Sequence, residues 1–267
     1  MPDNSNVRKV EQLTRLMLII LAGLLVVLLA LTVTFFATKP SNKPVKNPES
    51  TTDGQSPTDP VILTATPDAG IDYQNSIIFV GDSLTAHLIS RGVLTGGTNT
   101  KQVWRCENNM MNLNSEVTAA KIIYPETGEK MTVAEAAGRA KPAVMIITLG
   151  TDWGVSYLSE EEFKSCYTDL IKAIQAASPD TKIILQSIFP VTQSCKTLDN
   201  TKIDNANKWV KAIASENGCR YLDTQTVLKD DKNCLKAEYC NSSDGIHLGK
   251  NAYEVILQYI RTHAIAD

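Results

Sequence analysis

The stretch "IIFVGDSLTAHLI", Ile77 to Ile89, changes character at its centre. An apolar run ends at Gly81, Asp82 and Ser83, and a helix-spaced pattern follows. Runs of this kind read as strands buried on both faces. Ser and Asp are good helix N-caps. The stretch therefore predicts a strand, a tight turn and a helix, with a serine at the turn. The question it poses is whether Ser83 only caps that helix or also reacts.

Working outward, five strands are predicted, at Ser76–Val80, Lys101–Arg105, Ala143–Leu149, Lys182–Ile188 and Arg220–Asp223. Helical patterns lie between them. Ser159 and Glu162 form a capping box, followed by Phe163, Tyr167, Leu170, Ile171 and Ile174 at helical spacing. Ile203, Ala206, Trp209, Val210 and Ile213 mark the next helix, stopped by Gly218. Tyr253, Ile256, Tyr259 and Ile260 mark the last. Strands alternating with helices argue for an α/β fold with a parallel sheet covered on both faces.

Before this domain the composition shifts twice. "LMLIILAGLLVVLLALTVTFFA", Leu16 to Ala37, carries no charge, and about 20 apolar residues suffice to cross a bilayer as a helix. No small-residue cleavage site follows it, so residues 16–37 are read as an uncleaved transmembrane anchor and 1–15 as a cytoplasmic tail. Basic residues flank both ends equally, so orientation rests on the shortness of that tail. Residues 38–70, rich in Pro, Ser, Thr, Asn and Lys, read as an extended, disordered tether. Residues 71–267 form the globular domain, placed on the extracellular side of the cell membrane. All six cysteines lie beyond the apolar segment. An exported location permits disulfides, with Cys234–Cys240 the expected local bridge; Cys166 reads as a buried thiol on a helix face.

The net charge of −3 gives no electrostatic case for nucleic acid. No phosphate-binding glycine loop or zinc-spaced Cys/His cluster is present, so no cofactor or metal is expected.

In open parallel sheets, ligands bind beyond the carboxyl ends of the strands. Those ends carry Gly81-Asp82-Ser83, then "LGTDWG" (Leu149 to Gly154), then "SSDGIHLG" (Ser242 to Gly249) before the last helix. A serine nucleophile needs a base, and histidine suits that role near neutral pH. The three histidines differ in promise. His263 ends the last helix, where a helix-terminal contact is expected. His87 lies one turn after Ser83 and points back along its helix. His247 sits in a polar loop with Asp244 three residues before it, and such a carboxylate can hold the tautomer and charge of an imidazole. Asp244 alone would equally suit an Asx turn.

"FVGDSLT" and "DGIHL" together resemble the first and last blocks of the GDSL, or SGNH, hydrolase family. The resemblance runs from about Ser76 to Ala264. It implies a three-layer α/β/α sandwich with a flavodoxin-like five-stranded parallel sheet, with Ser83 as nucleophile, His247 as base and Asp244 as its support. It further implies an ester substrate, often an acetylated carbohydrate or a lipid ester. The sequence departs from the family at the oxyanion hole. Asp152 stands where the family has Asn, and the segment after the second strand lacks the family's Gly. Asn108 or Asn109 can supply a backbone amide there, since Asn visits left-handed geometry readily. An ionised Asp152 would repel an oxyanion, whereas a protonated one would donate to it.

Three functions follow. The first is a membrane-anchored serine esterase acting on an acylated cell-wall glycan. The second is an impaired relative that binds envelope glycan without cleaving it. The third is a tethered scaffold whose polar loops are structural. Trp104 and Trp153, near the strand ends, are candidates for stacking on sugar, or for core packing.

Overall fold

The computed structural model describes residues 59–265. Helix α1 (Gly70–Asn75) leads into β1 (Ile77–Gly81), α2 (Ser83–Arg91) and β2 (Val103–Cys106). A hairpin of β3 (Lys121–Ile123) and β4 (Lys130–Thr132) follows, then α3 (Val133–Ala140) and β5 (Val144–Thr148). Next come α4 (Gly154–Tyr157), α5 (Glu160–Ala177), β6 (Lys182–Gln186) and α6 (Asn200–Glu216). The described chain closes with β7 (Arg220–Leu222), α7 (Gln225–Leu228) and α8 (Lys250–Arg261).

The strands form one sheet in the order β4-β3-β2-β1-β5-β6-β7. β2, β1, β5, β6 and β7 pair in parallel, in the predicted arrangement. The prediction of five strands is nevertheless corrected to a mixed sheet of seven, because β3 and β4 add an antiparallel edge. Each of these is three residues long with one buried side chain, too short for an alternating pattern to register.

Successive residues of β1 feed opposite faces of the sheet, as the pleat requires. Val80, with Met145 and Ile147 of β5, packs under α3, α5 and α6 through Ala136, Phe163, Tyr167, Leu170, Ile203 and Val210. Ile77 and Phe79, with Ile146, pack under α2 and α8 through Leu84, Leu88, Tyr253, Ile256 and Ile260. The result is three layers, α/β/α. The predicted capping box of α5 is present, with Ser159 accepting from the Glu162 amide and Glu162 returning the bond.

One boundary moves. Residues 59–69 were assigned to the tether, yet the Leu63 amide donates to the Tyr221 carbonyl and the Tyr221 amide to the Val61 carbonyl. Val61 and Leu63 are buried beside β7. The three apolar residues Val61 to Leu63 sit in a Pro/Thr-rich stretch whose composition masks them. The expected anchor, residues 16–37, and most of the tether lie outside the described residues. Among the described residues, no helix is long and apolar enough to cross a membrane.

Candidate active site

The parallel strands deliver the turn after β1 and the loop after β5 to one rim. Gly81 is required at the first of these. A Cβ there would lie 2.2 Å from both the Thr148 carbonyl oxygen and Thr85 Oγ1, so only glycine lets β1 pass so close to β5. Asp82 then caps α2, its Oδ1 accepting from the Leu84 amide at 3.2 Å. Its Oδ2 accepts from the Thr151 amide at 3.1 Å, fastening the β5 loop to the β1 turn. Ser83 is the first residue of α2, at the positive end of the helix dipole.

The loop before α8 is tied to the same helix. Tyr253 OH donates to the Leu84 carbonyl at 2.7 Å, and Arg91 Nε donates to the Leu248 carbonyl at 3.1 Å. These bonds hold His247 against α2, where its ring centroid lies 4.9 Å from that of His87. Asp244 Oδ2 is 2.6 Å from His247 Nδ1. The carboxylate accepts, so Nδ1 carries the proton and Nε2 keeps its lone pair. Asp244 Oδ1 also accepts from the Ile246 and His247 amides. Partial burial raises the Asp244 pKa, but these amides and the imidazole outweigh it and hold the carboxyl at about 2. The Asx turn and the histidine pairing are thus one arrangement, not alternatives.

Asp152 is the unexpected element. Its Oδ2 accepts from the Ser83 amide at 3.2 Å and its Oδ1 from Ser83 Oγ at 3.3 Å. The carboxyl therefore sits across both the hydroxyl and the amide of the serine. Gly150 allows the loop to bend there: its φ is +124°, and a Cβ would lie 2.8 Å from Ile188 Cδ1. Asp82 lies fully buried behind the pair. Burial first, then the charge of Asp152, raises the Asp82 carboxyl to about 7, against the opposing pull of the Thr151 and Leu84 amides.

A family model for the GDSL-like lipase/acylhydrolase family matches residues 79–255, well over half of the chain. The chain belongs to this family. The match opens inside β1 and closes inside α8, so it encloses Ser83, Asp152, Asp244 and His247. Membership supports a hydrolase acting on acyl esters. Among solved structures, a Streptococcus pneumonia protein described provisionally as a platelet activating factor is 20% identical, with a TM-score of 0.51, covering 70% of this chain and 82% of its own. The periplasmic domain of a lipopolysaccharide acetyltransferase from Salmonella ser. Paratyphi A is 17% identical, with a TM-score of 0.49 and coverage of 69% and 82%. A GDSL-like lipase from Bacteroides thetaiotaomicron is 14% identical, with a TM-score of 0.48 and coverage of 72% and 89%. At these identities the first of these likenesses speaks to the fold alone. No curated protein matches the sequence.

Against the family pattern, the remaining candidates divide. Asn109 does adopt the left-handed conformation, at φ 61°. Its amide, however, donates to the Cys106 carbonyl at 2.9 Å, and its side chain accepts from Arg105. The expectation that the Asn109 amide serves an oxyanion is thereby corrected, because that turn already uses it. Asn108 lies inside the same turn and accepts from the Met110 amide through its side-chain oxygen at 3.0 Å. Trp104 is buried edge-on against Tyr124, which removes it as a sugar contact. Trp153 is 40% exposed and stacks on Tyr157, a partner that sequence spacing did not suggest. His263 stacks on Tyr259 at the end of α8, as a helix-terminal residue would. His87 Nδ1 is buried without a partner, and burial, with the nearby His247, lowers its pKa. All six cysteines are free; the expected Cys234–Cys240 bridge is absent, and the two thiols donate instead to the Lys232 and Ser242 carbonyls. Among the described residues, no group of three or more acidic, His or Cys side chains is arranged to hold a metal ion.

Proposed function

We propose that the domain is a serine ester hydrolase in which Ser83 attacks the acyl carbonyl, His247 is the general base and Asp244 orients it. The observation that carries this reading is the 2.6 Å pairing of Asp244 with His247 Nδ1, on a loop bonded to the helix that begins with Ser83. His247 Nε2 takes the Ser83 proton as Oγ bonds to the acyl carbon, and the carbonyl oxygen becomes an oxyanion. Collapse expels the alcohol, which receives the proton from His247. Water, activated by the same imidazole, then releases the acid from the acyl-serine.

The oxyanion requires donors. The Ser83 amide is one and the Asn108 amide a second. Asp152 stands where the family places the third donor, and in the resting site its carboxyl accepts from the Ser83 amide and hydroxyl. Asp152 thus covers the resting serine and must leave its amide before an oxyanion can bind there.

The contact of Asp152 with both Ser83 groups also favours a second reading, in which the carboxylate permanently blocks the hole and the protein binds envelope glycan without cleaving it. Labelling by a fluorophosphonate probe separates the two. An activated serine is labelled at Ser83, and labelling is lost in His247→Ala. A well-folded protein that resists the probe at every pH from 5 to 9 would sink the esterase.

In this reading residues 16–37 anchor the chain in the cell membrane, with the hydrolase on the extracellular side, and the substrate is an acyl ester on a cell-wall carbohydrate. A C-terminal tag that stays protease-protected in intact cells would refute that placement.

A further inference from the structure

Trp153 and Tyr157 stand out among the described side chains. They are 40% and 67% exposed. Their rings stack at 4.6 Å between centroids with 29° between planes. Exposed aromatic rings this large normally find apolar cover or a ligand. The pair is also placed by the site itself. Trp153 directly follows Asp152, whose carboxyl accepts from Ser83, and α4 carries Tyr157 one turn on.

The ground beside the pair is polar. Gly154 lies against Leu113, whose Cδ2 would be 3.2 Å from a Cβ at that position. On either side of Leu113, Asn112 and Asn114 line a hollow of about 190 Å³ together with Glu116 and Met110. Asn114 Oδ1 accepts from the Glu116 amide there, and Asn112 Oδ1 is buried without a partner. The outward face of a stacked aromatic pair matches a pyranose ring, which offers one face of C–H groups, and the side-chain amides of the hollow suit its edge of hydroxyls. An acyl chain would match an enclosed apolar groove instead.

We propose that Trp153 and Tyr157 form a stacking platform for a sugar ring of the substrate, placing its ester beside Ser83. The inference rests on the esterase reading for its carbohydrate ester and assigns the residues that hold the sugar.

The test compares Trp153→Ala with the unaltered full chain on two kinds of ester. On acetylated xylan or O-acetylated chitopentaose, kcat/KM should fall roughly tenfold further than on p-nitrophenyl acetate, the size a lost aromatic contact supports. Trp153→Phe should recover most of that loss, and Tyr157→Ala should share it. Ile71→Ala, at an equally exposed apolar residue on α1, should show no such selectivity. Equal losses on both kinds of ester, or none, would overturn the platform. A penalty that instead grows from p-nitrophenyl acetate to octanoate would assign the surface to an acyl chain and overturn the sugar. If the unaltered chain cleaves no ester, the esterase reading fails and the platform is judged by binding alone. Of the three tryptophans, Trp104 is core and Trp209 packs edge-on against Phe163. Chitopentaose or xylopentaose should therefore quench the Trp153 emission, and quenching by neither would overturn the platform.

Discussion

Asp244 and Asp82 are chemically identical and lie at opposite sides of one site, yet their surroundings drive them apart. Asp244 sits in an exposed loop where two backbone amides and an imidazole face its oxygens, and its carboxyl is held at about 2. Asp82 also accepts from two amides, but it is fully buried and shares its space with Asp152, and its carboxyl is pushed to about 7. Equal numbers of amide donors therefore do not give equal acids. Desolvation and a second carboxylate decide the difference. One carboxylate is suited to steady a positive imidazole, while the other keeps a proton near the serine.

The largest test of this contrast is at the serine between them. Ser83→Ala should reduce ester turnover by roughly 10⁶-fold, measured with p-nitrophenyl acetate; a modest loss would place the chemistry elsewhere. Asp244→Asn should cost roughly 10⁴-fold by releasing the imidazole tautomer, and the loss should appear in kcat. At the opposite side the sign reverses. Asp152→Asn should raise kcat by about 10²–10³, because an amide donates where a carboxylate only accepts. An unchanged rate would show that Asp152 does not face the oxyanion.

The smallest effect is on stability. The Asp82 pKa is raised from its ordinary 3.8. Between pH 3.8 and about 7 the folded state therefore holds a proton that the unfolded state has lost. Stability should fall as pH rises across that window and level off above it. Asp82→Asn keeps the N-cap and should flatten the slope by a few degrees in Tm. Asp244 works in the other direction, its contribution persisting until pH falls through about 2.

Much of this was legible in the chain. The four longer parallel strands and the long helices were readable because each is long enough to carry its own pattern, and three-residue β7 was readable from its place after the helix stopped by Gly218. The Asp82–Ser83 capping turn and the Asp244–His247 pairing were readable because such turn chemistry is local. The β3–β4 edge and the packing of Val61 and Leu63 were not, since three-residue segments gain stability only from neighbours distant in sequence. Nor could the fates of Trp104 and Trp153 be told apart, as burial is a property of the assembled layers.

What the sequence determined alone is that a serine follows the first strand of an α/β sheet and that an Asp–His pair precedes the last helix. Only the tertiary structure decided that Asp152 lies across Ser83, with Asp82 buried behind it. Those bonds span 69 residues of sequence, and no local pattern encodes a charge brought near from so far along the chain.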